Sequence, residues 1–340
     1  MAGEHIGGVE ISDEDRLVAN PVVSILLMTY NQEDYVSDAL DSFLAQKTDF
    51  PFEILVNEDC SPDGTLDVLL SYQRRFPETI RVVSHAENQY QRGGKPWGDF
   101  LLPRARGEFI ALCEGDDYWT DEHKLQRQYD VMRANPGLSA CAHASENVRA
   151  ESRQRLSVTR FQDHDGRVGP SDVLTHVQCF ATNSLFFRRQ TFVEFRNSVF
   201  DGLEADGDQR LTVYLGITGE GIHYIDEVMS AYRVLARGST NQANFLSEKR
   251  LEIAGQNRAR RVELLEAVDA YTGGALHDDV ARGIDVMDYA YYKDIRDWKT
   301  LRTRWPRLLA KESLPARADI FLFTYARPLH RLLFKLVYRL

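Results

Sequence analysis

Between residues 22 and 119, short apolar runs of strand length alternate with segments whose apolar residues recur at helical spacing, which leaves the chain few architectures. "VVSILLMT" is rich in β-branched residues. It is followed by "YNQEDYVSDALDSFLAQ", where Tyr35, Val36, Ala39, Leu40, Phe43 and Leu44 mark one helical face. "FEILVNED", the turn "CSPDGT" and "LDVLLSYQRRF" repeat the unit, with Ser61 and Pro62 near the helix start. "IRVVSH" and "EFIALCEGDD" are two more strand-like runs, separated by the loop "QRGGKPWGDF" and a short helix ending near Gly107. Such alternation implies an α/β fold with a mostly parallel sheet covered by helices on both faces.

In sheets of this kind ligands bind outside the carboxyl ends of the strands. The polar clusters "TYNQED", "NEDCSPDG" and "EGDD" each follow a strand run, so acids, amides and hydroxyls from three stretches should meet at one rim. From about residue 171 the pattern is mixed. "ATNSLFFRR" reads as a strand, "DGDQRLTVYLGITG" as a polar turn into a helix, and "GIHYIDEVMSAYRV" as a strand. Residues 245 to 312 read as long helices broken at "YTGGALHDD" and Pro306, and no internal repeat is found. The expected layout is an N-terminal tail (1–20), an α/β domain (21–237) and a helical C-terminal region (238–340).

The net charge of −10 supplies no basic excess to neutralise phosphates along a strand, so nucleic acid is not an expected partner. Cys60, Cys113, Cys141 and Cys179 form no Cys-x-x-Cys pair, which suits a reducing, cytoplasmic compartment and argues against zinc or disulfides. The first twenty residues lack a signal-peptide pattern, and no apolar run reaches membrane-span length. "YARPLHRLLFKLVYRL" departs from the overall acidity: Arg327, Arg331, Lys335 and Arg339 alternate with large apolar residues, and no acid follows Asp319. This pattern fits either a peripheral helix on the inner membrane face or a terminal helix packed on protein.

Asp116 and Asp117 stand side by side at a strand end, where mutual repulsion and burial both oppose ionisation. A divalent cation removes that conflict, and hard carboxylate oxygens suit Mg2+ or Mn2+ carrying waters and substrate phosphates. The plainer alternative is a solvated turn before a helix capped by Thr120 or Asp121.

Taken together, "PVVSILLMTYNQEDYVSDALDSFLAQ", "EILVNEDCSPDGT" and "RARGEFIALCEGDDYW" resemble, in order and spacing, the nucleotide-binding half of glycosyltransferase family 2. The resemblance covers roughly residues 21 to 235. It implies the GT-A fold, a Rossmann-like domain with a nucleotide half at about 21–120 and an acceptor half at about 121–237. It also implies inverting sugar transfer from a nucleotide donor. By resemblance Thr29, Tyr30, Asn31 and Glu33 cradle the base and ribose, and Asp59 accepts the ring N–H of uracil or thymine, pointing to a UDP- or dTDP-sugar. Asp116 is expected at the ribose and diphosphate and Asp117 as the principal metal ligand. Glu114 stands where the family more often has Asp, and its role stays open.

On the other half, Asp208 matches the family's general base, ahead of the helical Leu211, Val213, Tyr214 and Leu215. Thr182, Asn183 and Ser184 match the segment lining the acceptor or donor-sugar side, and Arg233 is a candidate diphosphate contact. Many members carry a His where this chain has Leu235, which weakens any ligand role for that loop. The implied acceptor is a glycan or lipid-linked glycan in bacterial-type cell-surface polysaccharide or lipopolysaccharide assembly. The alternative is a non-catalytic nucleotide-sugar-binding or scaffolding subunit.

Overall fold

The computed structural model describes residues 7–176, 179–237, 250–311 and 314–326. They divide into two compact units. The first holds residues up to 173, 179–202 and 206–237 of the described chain; the second holds 174–176, 203–205 and the described residues from 250 onward.

The first unit is built on one sheet of eleven strands. In chain order they are β1 (Val9–Ile11), β2 (Val23–Thr29), β3 (Phe52–Glu58), β4 (Ile80–Ser84), β5 (Phe109–Glu114), β6 (Tyr118–Trp119), β7 (Ala140–Arg149), β8 (Arg155–Thr159), β9 (Gly166–Val168), β10 (Phe186–Arg188) and β11 (Ile222–Val234). The main order is β1-β4-β3-β2-β5-β10-β7-β11-β6, with β8 on β7 and β9 on β11. Strands β4, β3, β2 and β5 run parallel, as the alternating pattern requires, and β7 and β11 form a second parallel pair. Antiparallel β10 joins the two blocks.

Six of the seven residues of β2 are buried, so both faces of this central strand are covered, which explains its unbroken apolar run. Helices α1 (Val36–Leu44) and α2 (Thr65–Arg75) follow β2 and β3, and α3 (Lys124–Ala134) follows β6. Val36, Ala39, Leu40 and Phe43 of α1 are buried in the core beside Leu69, Tyr72, Trp119, Leu125 and Met132. The Phe43 and Trp119 rings lie 4.4 Å apart, holding the segment after the acidic turn against α1. Short helices α4 (Pro170–Thr175) and α5 (Arg189–Arg196) lead to α6 (Gly207–Ile217).

Two expectations are corrected here. Residues 9–11 are not tail but an edge strand, paired antiparallel with β4. In "ATNSLFFRR" only Phe186–Arg188 is a strand; Thr182–Ser184 form a 3-10 turn, because their polar side chains bond locally and to other strands.

The second unit is helical in its described residues: α7 (Arg250–Tyr271), α8 (His277–Asp294), α9 (Trp298–Arg304), α10 (Pro306–Lys311) and α11 (Leu314–Tyr325). Gly273 and Gly274, at φ 60° and 82°, make the turn between α7 and α8 that the sequence marked. Leu301, Trp305, Leu309 and Ile320 form a small core, and buried Asp288 accepts hydrogen bonds from Arg258 and Arg304. Most of the basic C-terminal pattern lies outside the described residues. No helix among those described is long and apolar enough to cross a membrane.

Candidate active site

The carboxyl ends of β2, β3 and β5 lie in register, with Thr29 opposite Glu58 and Met28 opposite Glu114. The three polar clusters therefore do converge on one rim. Two of them are strapped together. Backbone N–H groups of Asn31, Gln32 and Glu33 donate to Ser61 Oγ (3.0 Å), Thr65 Oγ1 (2.8 Å) and Asp63 Oδ2 (3.1 Å). Gly64 N–H donates back to Glu33 Oε2 at 2.9 Å. Asn31 and Cys60 take left-handed backbone conformations, φ 57° and 60°, at the sharp turns this needs. Thr29 is buried, its hydroxyl donating to the Asn57 carbonyl at 3.0 Å, whereas Tyr30 is 37% exposed and free to meet a planar ligand.

Asp59 sits at the same rim but is buried. Its two oxygens accept the backbone N–H groups of Gln89 (2.7 Å) and Tyr90 (3.0 Å), so it also organises the segment after β4. Each carboxylate oxygen keeps a further lone pair for a ring N–H.

The acidic turn approaches the first loop closely at Gly115. A Cβ there would lie 2.4 Å from Gln32 Oε1 and 2.8 Å from Thr29 Cγ2, so only glycine allows the approach. The three acids around it have different environments. Asp117 is buried (1% exposed): Oδ1 accepts the Arg233 backbone N–H and Oδ2 the Asn183 side-chain amide, both at 2.9 Å. Burial first, then Asp116 and Glu114, push its pKa well up, against the Arg233 N–H. Asp116 and Glu114 are half-buried. Burial, followed by repulsion from Asp116 and Asp208, raises Glu114 to about 8. Burial also raises Asp116, opposed by its own backbone N–H and by the Arg233 charge.

Asp208 thus lies close enough to the acidic turn for its charge to act on Glu114. It occupies the first turn of α6, half-buried, with Oδ1 accepting the Gln209 N–H at 2.8 Å, while Asp206 takes the N-cap position without a side-chain cap bond. Glu114 and Asp208, whose charges interact, are 94 residues apart in sequence.

Other expected contacts are turned inward. Asn183 and Ser184 are fully buried and Thr182 nearly so. Asn183 donates to Asp117 and to the Ala231 carbonyl (3.1 Å) and accepts from Ser230 Oγ (2.6 Å); Ser184 Oγ donates to the Ala181 carbonyl. The side chains of Asn183 and Ser184 are engaged within the protein, so these two are not placed to bind sugar hydroxyls. Arg233 is likewise buried. Its guanidinium donates to Asp38, to the Asp116 carbonyl (2.5 Å) and to the Ala150 carbonyl (3.2 Å), and lies over the Tyr35 and Tyr118 rings. It is therefore not free to clamp a diphosphate.

Among residues not singled out from sequence, Lys95 bonds Asp201 Oδ2 at 3.1 Å, and Asp201 also receives Arg196 and is flanked by Arg210 of α6. This group fixes the start of the helix that carries Asp208. Lys124 is fully buried, with Nζ on Gln128 Oε1 (2.7 Å) and 3.9 Å from the Trp119 ring centroid, and burial lowers its pKa to about 7. For Asn183 and Arg233 the signal of an inward role was a polar residue inside an apolar run, as in "FATNSLFF" and "SAYRVLA": such a residue must find a partner.

Among the described residues no three His, Cys, Asp or Glu side chains form a ready metal cage. The acids fit a cation of another kind, one that meets one or two carboxylates and takes its remaining ligands from water and phosphate, because Glu114 and Asp116 are partly accessible and electrostatically strained.

The model of the family described as Glycosyl transferase family 2 matches residues 24–194. The uncharacterized protein Rv1520 of Mycobacterium tuberculosis is 33% identical over 247 residues, 72% of this chain and 67% of its own length. The poly(ribitol-phosphate) beta-N-acetylglucosaminyltransferase TarS of Staphylococcus aureus is 36% identical over 102 residues, 29% of this chain and 17% of TarS. The crystal structure of TarS 1-349 with UDP-GlcNAc superposes with a TM-score of 0.53 at 18% identity, covering 88% of this chain and 86% of that one. The mannosyltransferase PcManGT of Pyrobaculum calidifontis, in complex with GDP-Man and Mn2+, gives 0.51 at 18% identity over 91% and 80%. At these identities the structural likeness establishes the shared fold.

Proposed function

Because the chain belongs to glycosyl transferase family 2, we propose that it is an inverting, cation-assisted enzyme moving a sugar from a UDP- or dTDP-sugar to an acceptor hydroxyl. The observation that carries this reading is that Asp208, in the first turn of α6, lies within electrostatic reach of Glu114 in the acidic turn, so a candidate base and a candidate diphosphate site share one region.

In this reading the strapped loops at 30–33 and 61–65 hold the nucleoside, with Tyr30 against the base and Asp59 accepting its ring N–H. We place the cation-facing role on Asp116, supported by Glu114, because these two are partly accessible whereas Asp117 is buried among protein donors. A bound Mg2+ or Mn2+ would neutralise the departing diphosphate. Asp208 takes the proton of the attacking hydroxyl on the opposite side of the anomeric carbon, so that the bond to the acceptor forms as the bond to the diphosphate breaks.

For the acceptor we propose a cell-surface glycan or lipid-linked glycan, reached at the cytoplasmic face of the membrane. The support is family kinship with TarS and the basic, apolar residues 327–340. The test is a thermal-shift panel of UDP, dTDP, GDP and CDP, each with and without Mn2+, on the wild type and on Asp116→Ala. Stabilisation by a uracil or thymine nucleotide that needs both the metal and Asp116 is the expected result. A shift indifferent to both sinks this donor site, and preference for GDP overturns the assigned base.

A further inference from the structure

Arg233 is buried beside the acidic turn, and its side-chain hydrogen bonds in the structure are all to protein groups. It lies in β11, and its partners come from three other parts of the chain. The guanidinium meets Asp38 of α1, the main-chain carbonyl of Asp116 in the acidic turn, and that of Ala150 in the β7–β8 hairpin. Its backbone N–H holds Asp117 Oδ1. The rings of Tyr35 and Tyr118 lie 5.1 and 4.7 Å from the guanidinium carbon. Asp38 is shared with Arg153, whose guanidinium is 5.7 Å from the Tyr118 ring. Tyr35 continues the set, its hydroxyl accepting the Arg237 N–H at 3.4 Å.

A buried guanidinium is costly unless every donor direction is used and its charge is matched. Here the match is one carboxylate, Asp38, at Nη2, while Nε and Nη1 each donate to a carbonyl, a planar fork that a lysine cannot reproduce. The bond to the Asp116 carbonyl bears on the site directly. With main-chain O and the adjacent Asp117 carboxylate both held by one residue, the peptide between them has little freedom, and the direction in which the Asp116 side chain leaves the backbone is set. Asn183 holds the other oxygen of Asp117 from the 182–184 turn.

We propose that Arg233 is a positioning residue for the acidic turn, a buried strut between α1 and β11 that aims Asp116 into the donor site. The inference rests on the functional reading given above, in which Asp116 faces the cation and diphosphate. It accounts for a full charge placed in the apolar run "SAYRVLA".

The test compares the wild type with Arg233→Lys, Arg233→Met and Asp38→Asn in the full chain. Hydrogen exchange is followed in metal-free protein, and UDP affinity is measured by calorimetry with and without MnCl2. The strut predicts faster exchange in the peptide covering 114–119 for Arg233→Met, with the 30–34 and 61–65 loops unchanged. It also predicts at least a tenfold loss of the Mn2+-dependent gain in UDP affinity, metal-free UDP affinity within about threefold of wild type, and partial rescue by Arg233→Lys. Unchanged exchange at 114–119, or equal loss of UDP affinity with and without metal, overturns the proposal. If Arg233→Met does not fold, Asp38→Asn carries the same expectation in weaker form, and unchanged exchange at 114–119 there also overturns it. A wild type that binds no UDP with Mn2+ would count against the functional reading alone, because the exchange arm still decides the strut.

Discussion

The carboxylate of Asp117 accepts the backbone N–H of Arg233 at 2.9 Å, a bond between residues 116 positions apart that closes the acidic turn onto strand β11. Its other oxygen takes the Asn183 amide, so the second acid of the adjacent pair is built into the protein.

That arrangement makes Asp117 a stability residue. Asp117→Ala leaves the buried Arg233 backbone N–H and one N–H of the Asn183 amide without their acceptors, each worth about 1–3 kcal/mol. Urea unfolding should show a loss in that range or above, and Asp117→Asn, which keeps an acceptor oxygen, should lose less. Equal stability of the alanine variant would contradict the two bonds.

Asp208→Asn should act on chemistry and not on folding. The amide keeps the size and the acceptor oxygen that faces Gln209 N–H, but cannot take a proton. A positioned general base contributes roughly 10²–10⁴-fold, so transfer, or slow donor hydrolysis in its absence, should fall by that factor. UDP binding and the melting temperature should stay near wild type.

Glu114 predicts a pH dependence of stability in chelator-treated protein. Its folded pKa, pushed up to about 8, lies above the ordinary carboxylate value. Between roughly pH 4.5 and 8 the folded state therefore holds a proton that the unfolded state has lost, and this group's contribution to stability falls as pH rises through that window. Glu114→Gln should flatten the decline and gain most, relative to wild type, near pH 8. Melting curves at closely spaced pH values are the check.

Lys124 gives the opposite slope. Burial holds its folded pKa near 7, below the ordinary lysine value, so above pH 7 the folded state binds fewer protons than the unfolded one and stability rises until about pH 10.4. Lys124→Met should remove that rise. In the wild type, the fluorescence of Trp119, whose ring centroid is 3.9 Å from Nζ, should titrate with the same midpoint. A flat Trp119 signal from pH 6 to 9 would contradict a buried amine titrating there.

Much of the fold was legible in advance, because parallel strands buried on both faces must be apolar throughout and the helices between them must carry a 3.6-residue stripe. "VVSILLMT" and "FEILVNED" became β2 and β3 for that reason, and their polar ends met at one rim. The edge strand at Val9–Ile11 was not legible: three residues carry too little periodicity, and their pairing with β4 is a property of the edge they complete.

The candidate site divides in the same way. Two adjacent carboxylates at a strand end marked the acidic turn by chemical type, whereas Asp59 and Asp208 were marked by the resemblance of their segments to the family. Which acid faces outward was decided only in three dimensions. Asp116 and Asp117 are identical and adjacent in sequence. They differ because β11 and the 182–184 turn deliver donors to Asp117, while Arg233 holds only the main chain of Asp116. A side chain's role depends on which partners burial assigns to it. Those partners lie 66 and 116 residues further along the chain, beyond the reach of any local pattern.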